Sequence, residues 1–123
     1  MIDQQALAKY RETQVMTASP EKLVVLTYAA LNRFVEGAIS AHQAKDWESF
    51  HEQMLRAQDA VNELQIALDL EQGGEIAANL WTLYNYFRQQ LIQANIRRNI
   101  SLVEEIQPMI KSLQEAWAEI CHA

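Results

Sequence analysis

The stretch WESFHEQMLRAQDAVNELQIAL, residues 47–68, decides the fold class, because its apolar residues recur at alternating steps of three and four. Residues at these steps lie on one face of an α-helix. Asp46 stands immediately before the stretch, where a carboxylate can cap the first turn. The stripe comprises Trp47, Phe50, Met54, Ala57, Val61, Leu64 and Leu68. The sequence therefore predicts a long amphipathic helix here.

Gly73 and Gly74 follow this stretch, and glycine tolerates the positive φ that ends many helices. We therefore expect the helix to run over residues 47–71 and the next one over residues 75–98. The later helix has its own stripe of Ala77, Leu80, Tyr84, Phe87, Leu91 and Ala94. The glycines are thus expected to separate two helices.

A further helix is predicted on the N-terminal side of this pair. Ser19 can cap it, and Pro20 suits the first helical position, where its missing N–H removes no hydrogen bond. The helix is expected over residues 20–45, with a stripe of Val24, Tyr28, Leu31, Val35, Ala38 and His42.

The last predicted helix follows Asn99 and Ser101, which supply a turn and a cap. It spans residues 101–121, with a stripe of Val103, Ile106, Ile110, Leu113, Trp117 and Ile120. Pro108 falls inside it and removes one backbone hydrogen bond. The sequence therefore predicts a kink between Glu104 and Pro108.

Four stripes joined by short connections predict an all-α protein, an antiparallel up-down four-helix bundle formed by residues 19–123. Residues 1–18 precede the bundle and are expected to form a short helical or extended segment that packs on it. The length of 123 residues suits a single domain.

Composition and charge exclude several classes of function. A net charge of −6 repels nucleic acid, so we expect no nucleic-acid partner. No apolar run reaches the roughly 18 to 20 residues that span a bilayer, and the N-terminus does not resemble a signal peptide. We expect no membrane insertion and a cytoplasmic location, which the single residue Cys121 also suits.

Two Glu-x-x-His motifs, Glu48 to His51 and Glu119 to His122, are of the kind that holds metal pairs in helical bundles. Their neighbours Phe50 and Ile120 occupy the core stripes, which turns both glutamates outward. The motifs also stand at opposite ends of the predicted bundle. We therefore expect no metal, no cofactor and no catalytic residue, and we do not expect an enzyme.

Several apolar residues lie off the core stripes, roughly 90 to 160° away at 100° per residue. A soluble monomer rarely exposes a contiguous apolar patch of more than a few hundred Å². We therefore expect these side chains to contact a partner, another copy of the chain, or residues 1–18. They are Leu26, Phe34, Leu55, Ile66, Trp81, Tyr86, Ile92 and Ile96.

From about Tyr10 to Trp117 the chain resembles the flagellin export chaperone family, FliS. The resemblance rests on Thr17-Ala18-Ser19-Pro20, Leu68-Asp69-Leu70, Gly73-Gly74-Glu75-Ile76-Ala77, Leu83-Tyr84-Asn85-Tyr86 and Gln93-Ala94-Asn95. It implies a cytoplasmic chaperone that binds the C-terminal segment of flagellin, prevents early polymerisation and presents its client to the type III export apparatus through the export-gate protein FlhA. It implies no catalysis and no cofactor.

The resemblance also implies that the N-terminal segment occupies part of the client surface when the client is absent. Its apolar residues, Leu7, Tyr10, Val15 and Met16, would form this displaceable cover. A monomer or weak dimer is expected. The alternative from another class is a structural helical-bundle homo-oligomer, or an adaptor without a flagellin client, whose outer apolar faces pair with each other.

Overall fold

The computed structural model describes residues 20–122, and these form four α-helices. They are α1 (Pro20–Gln43), α2 (Trp47–Ile66), α3 (Leu70–Arg97) and α4 (Ser101–His122). Each helix packs against the next one, and α4 also packs against α1, which closes the bundle. Because the turns at 44–46, 67–69 and 98–100 are short, consecutive helices are antiparallel. The predicted all-α four-helix bundle is confirmed.

The core is built from the predicted stripes. Tyr28, Leu31, Val35, Phe50, Met54, Ala57, Val61, Tyr84, Phe87, Leu91, Val103, Ile106 and Ile110 are buried, together with alanines that let the helices approach. Ile120 is the exception, because its side chain is exposed in the last turn of α4. The core contact of this helix ends at Trp117, which is part-buried against the cluster.

The end of α2 differs from the prediction. The helix ends at Ile66 instead of residue 71, because Asp69 starts a new helix. The carboxylate of Asp69 accepts hydrogen bonds from the backbone N–H groups of Glu71 at 3.1 Å and Gln72 at 3.0 Å. A side chain that satisfies two otherwise unpaired N–H groups stabilises a helix N-terminus. Leu68 therefore lies in a turn, although it still packs against the core.

The two glycines stand at a kink in α3, where a short first helical piece meets the long one, so they separate two helical pieces as predicted. Gly74 has φ 55° and ψ −131°, which interrupts the helix and separates a first turn from the long part that follows. The predicted positive φ is therefore found, and it produces this kink. Gly73 has a different reason to be glycine, since an added Cβ would stand 2.6 Å from the Cβ of Ala77.

Capping residues define the other ends. Asp46 accepts a hydrogen bond from the backbone N–H of Ser49 at 3.2 Å, as predicted. Asn99 likewise accepts from the backbone N–H of Ser101 at 3.1 Å. Lys45 takes φ 56°, which ends α1 two residues before the predicted position. Helix α4 continues as one element through Pro108, and the kink there stays a prediction.

One finding on α1 differs from the sequence analysis. By length and hydropathy alone, Glu21–Gln43 could cross a membrane. The core helix of a soluble bundle meets the same criteria, and in this chain Tyr28, Leu31 and Val35 are fully buried against the other helices. Core packing therefore accounts for these three residues, whereas 28% of the apolar window as a whole is buried.

Candidate functional site

The predicted contact residues divide into exposed and part-buried side chains. Leu26, Leu55, Ile66, Trp81, Tyr86 and Ile96 are exposed, with Ile66 at 82% and Ile96 at 71%. Phe34 and Ile92 are part-buried, and Phe34 packs against the core cluster. Helices α1 and α2 approach closely beside Phe34, where Gly37 faces Gln53, so this ring is covered more than its position on α1 predicts.

Five of the eight predicted residues lie on one side of the bundle, which we call the α2–α3 face: Leu55, Ile66, Trp81, Ile92 and Ile96. Hydrogen bonds between α2 and α3 identify this side. His51 contacts Asn95 at 3.1 Å, and Gln65 donates to Asn85 at 2.9 Å. The five residues flank these bonds at helical spacing.

The other three predicted residues lie elsewhere. Leu26 and Phe34 belong to α1. Tyr86 is turned toward α4, since Gln90, one turn further along α3, donates to the backbone oxygen of Leu102 and to the carboxylate of Glu105. The eight residues therefore do not form one patch.

A second apolar feature is a cavity of about 190 Å³ at the end of the bundle where α1 and α3 begin. Sequence reasoning did not identify it, although Gly73, which lines it, was noticed. Its walls come from all four helices and the α2–α3 turn: Val24, Leu64, Ala67, Leu68, Asp69, Gly73, Ile76, Ala77, Leu80, Tyr84 and Trp117. Ile76 is 74% exposed, which leaves an apolar residue at the mouth.

One acidic residue lines this cavity, and others lie at the same end of the bundle. Asp69 lines it, and Glu71 and Glu75 are exposed in the first turns of α3. Glu21 at the start of α1 and Glu119 near the end of α4 belong to the same end of the bundle. An apolar cavity with an acidic rim suits a partner that combines apolar anchors with basic flanks.

The inner wall of the cavity carries a buried polar pair. Tyr84 lines the cavity, and its hydroxyl oxygen lies 2.7 Å from that of Tyr28. Burial raises the pKa of both hydroxyls, and the hydrogen bond shared with Tyr84 raises that of Tyr28 further. Both groups therefore stay neutral at physiological pH.

A polar network that sequence reasoning missed crosses the α2–α3 face. Gln65 is buried, and its amide nitrogen donates to the backbone oxygen of Trp81 at 3.2 Å. Arg88 donates to Asn62 at 2.9 Å, to the side-chain oxygen of Gln65 at 2.6 Å, and to Asn85. Only the arginine carries a charge. No spacing rule singles these residues out, because their partners come from different helices.

The metal motifs are not assembled in the described residues. Across residues 20–122, no group of three or more His, Cys, Asp and Glu side chains could hold an ion. His51 contacts the amide of Asn95, and Glu48 is exposed beside it. Glu119 belongs to the other end of the bundle. The segment with Leu7, Tyr10, Val15 and Met16 lies outside the described residues.

The chain as a whole is similar to known proteins of one family. The family described as "Flagellar protein FliS" matches residues 3–123. The flagellar secretion chaperone FliS of Salmonella typhimurium is 34% identical over 110 residues, covering 89% of this chain and 82% of the relative. That of Bacillus subtilis is 27% identical over 119 residues, covering 97% and 88%. That of Campylobacter jejuni is 34% identical over 111 residues, covering 90% and 87%. The chain therefore belongs to the FliS family of flagellar secretion chaperones.

Proposed function

We propose that this protein is a cytoplasmic export chaperone that binds the C-terminal segment of flagellin and prevents its premature polymerisation. It then assists delivery of flagellin to the flagellar type III export apparatus, where the export-gate protein FlhA is its second partner. The observation that supports this most is the exposure of Leu55, Ile66, Trp81 and Ile96 on a bundle whose core is already complete. The proposed role is binding without catalysis, metal or cofactor.

A flexible client segment suits this surface physically. A segment that folds on binding can cover a large area and place apolar side chains in grooves between helices. Covering the five residues of the α2–α3 face at about 1.5 to 3 kcal/mol each gains on the order of 10 kcal/mol. Ordering the segment and bringing two molecules together cost several kcal/mol of this gain. The remaining affinity still permits release at the export apparatus.

The acidic cavity suits a segment of the chain itself. Helix α1 begins at Pro20, beside the cavity, so residues 1–19 are covalently attached at this end of the bundle. Lys9 and Arg11 flank Tyr10 in that segment, and Leu7 precedes them. Basic residues around apolar anchors complement an apolar cavity with an acidic rim. In this proposal Leu7, Tyr10, Val15 and Met16 cover client-binding surface until flagellin displaces them.

Titration calorimetry tests the proposal. The probe is the C-terminal segment, about 40 residues, of flagellin from the same organism, titrated into the full chain at several temperatures. We expect saturable 1:1 binding with a large negative heat-capacity change, because apolar surface is buried. Absence of binding would refute the flagellin assignment.

A deletion of residues 1–16 tests the cover. Flagellin should bind the shortened chain more tightly, since no internal segment competes for the surface. Unchanged or weaker binding would contradict the cover. The deletion removes only residues before α1, and the circular dichroism of the bundle serves as its control.

The second candidate function is a structural homo-oligomer or an adaptor that binds no flagellin. The strong exposure of Ile66 and Ile96 favours it, because such side chains also suit self-association. Light scattering separates the two functions. A stable dimer at all concentrations that ignores the flagellin segment would support the oligomer, whereas a monomer or weak dimer that binds the segment supports the chaperone.

A further inference from the structure

Arg88 stands out in the described residues because three side chains, none of them charged, hold its guanidinium in place. Its guanidinium donates to three side-chain amide oxygens, those of Asn62, Gln65 and Asn85. No carboxylate within residues 20–122 pairs with it. A positioned cation with only neutral partners can still attract an anion.

The hydrogen-bond geometry leaves donors available. A guanidinium carries five N–H groups, and the three bonds use three of them, which leaves two without a partner among residues 20–122. The side chain is part-exposed, so the remaining groups can be reached. Gln65, one of its acceptors, is buried and is fixed in turn by the backbone of Trp81. Arg88 is therefore oriented before any ligand arrives.

The surroundings specify which anion would suit it. Arg88 lies in the middle of the α2–α3 face, seven residues after Trp81 and eight before Ile96. At a rise of about 1.5 Å per residue, these apolar residues stand roughly 10 to 12 Å away along α3 on either side. A ligand that covers all three must be longer than a small molecule and must carry a negative charge between apolar groups.

We infer that Arg88 binds a side-chain carboxylate, an aspartate or glutamate, of the client segment, while Trp81 and Ile96 receive apolar side chains on either side of it. This rests on the proposed chaperone function and adds a determinant of specificity to it. The spacing calls for apolar residues about three positions from the acid if the segment is extended, or about seven if it is helical.

Two roles of Arg88, joining α2 to α3 and binding a client carboxylate, predict different effects of substitution. If the network only ties α2 to α3, changing the arginine alters stability, and the client's charge has no influence. If Arg88 binds a carboxylate, replacing Arg88 and neutralising one client acid have coupled effects on the binding free energy. Coupling between residues of two molecules is not produced by a purely structural role.

The experiment is a double-mutant cycle measured by calorimetry with the flagellin C-terminal segment as the probe. Each Asp and Glu of the segment is replaced in turn by Asn or Gln, and each version is titrated into the original chain, Arg88→Gln and Arg88→Lys. Arg33→Gln is the matched control, because it removes the same charge from the exposed face of α1. Thermal melting of each variant monitors folding.

We expect Arg88→Gln to weaken binding about ten- to hundredfold, as loss of a charge-assisted hydrogen bond does. Replacement of one particular client acid should weaken binding to the original chain equally and have no further effect on Arg88→Gln. Arg88→Lys should fall between, because it keeps the charge and loses the fork. Arg33→Gln should bind within about twofold of the original chain, since it lies away from the α2–α3 face.

Other outcomes overturn the inference. The first is an affinity of Arg88→Gln for the segment within twofold of that of the original chain. The second is a set of client replacements that weaken binding to the original chain and to Arg88→Gln equally. The third is a loss of binding that occurs only when the C-terminal carboxylate of the segment is amidated. If Arg88→Gln fails to fold, the segments with replaced acids are tested on the original chain alone. The inference is then refuted if no single acid replacement weakens binding tenfold. Failure of the unmodified segment to bind would instead refute the chaperone proposal itself.

Discussion

The hydroxyl oxygens of Tyr28 on α1 and Tyr84 on α3 lie 2.7 Å apart in the buried centre of the bundle. Their rings are tilted by 56° with centroids 6.4 Å apart. The helices that carry them are diagonal to one another, so this hydrogen bond joins the two helix pairs across the core. A single change removes this shared bond, although Trp117 also forms a hydrogen bond with the hydroxyl of Tyr28.

We predict that Tyr84→Phe destabilises the bundle by about 1 to 3 kcal/mol, because it leaves the buried hydroxyl of Tyr28 without that partner. Tyr28→Phe should act similarly. The double variant should lose less stability than the sum of the two, since replacing both groups leaves neither hydroxyl buried without the other. Urea denaturation of the three variants measures this, and additive losses would contradict it.

Stability should also fall at alkaline pH. Burial raises the pKa of the Tyr28 hydroxyl far above its ordinary value, and the hydrogen bond shared with Tyr84 adds to this rise; burial also raises the pKa of Tyr84. In the unfolded chain both titrate near pH 10. The native state therefore keeps its protons to higher pH, so the contribution of the pair is complete below about pH 10 and is lost as the pH rises toward the folded values.

The double variant Tyr28→Phe with Tyr84→Phe is the control for this pH dependence, since it removes both titrating groups. Its urea midpoint should decline less between pH 9 and 11 than that of the original chain, which retains the pair. Equal declines in the two proteins would assign the alkaline loss to other groups.

The two glycines of α3 should respond differently to alanine. Gly74→Ala should cost about 1 to 2 kcal/mol, because its φ of 55° is unfavourable for a residue with a Cβ. Gly73→Ala should also destabilise, since its Cβ would stand 2.6 Å from that of Ala77. Adding Ala77→Gly removes the clashing atom and should relieve only the Gly73 variant. Thermal melts of each glycine variant, with and without Ala77→Gly, measure this. If Ala77→Gly also restored stability to the Gly74 variant, the two glycines would not have separate causes.

The α2–α3 face should bind without supporting the fold. Leu55→Asp combined with Ile66→Asp should leave the melting temperature within a few degrees, because both side chains are exposed, and should weaken flagellin binding at least tenfold. Phe34→Asp is the contrasting variant and should lower stability, since that ring packs against the core. A double variant that unfolds would show that Leu55 and Ile66 support the core.

Much of the candidate surface could be predicted from helix geometry. The angular position of Leu55, Ile66 and Ile96 relative to the core stripes placed them outside, and they are exposed. Phe34 had an equally outward position and is part-buried, because its cover comes from a neighbouring helix. A single-helix projection contains no information about how closely that neighbour approaches.

The network around Arg88 illustrates the same limit. Asn62, Gln65, Asn85 and Arg88 are ordinary polar residues in sequence, and Gln65 even lies near the border of its core stripe. They become a site only because two antiparallel helices bring them together at hydrogen-bond distance. The cavity beside Asp69 has the same origin, since its walls come from four helices and a turn.

The sequence by itself determined the helical class, the four stripes and the caps at Asp46 and Asn99, because helix periodicity and capping depend on residues within one turn of each other. Only the tertiary structure decided that Phe34 is covered by a neighbouring helix, that a cavity forms beside Asp69, and that Asn62, Gln65 and Asn85 converge on Arg88. These features depend on contacts and competing interactions between segments, which local periodicity does not encode.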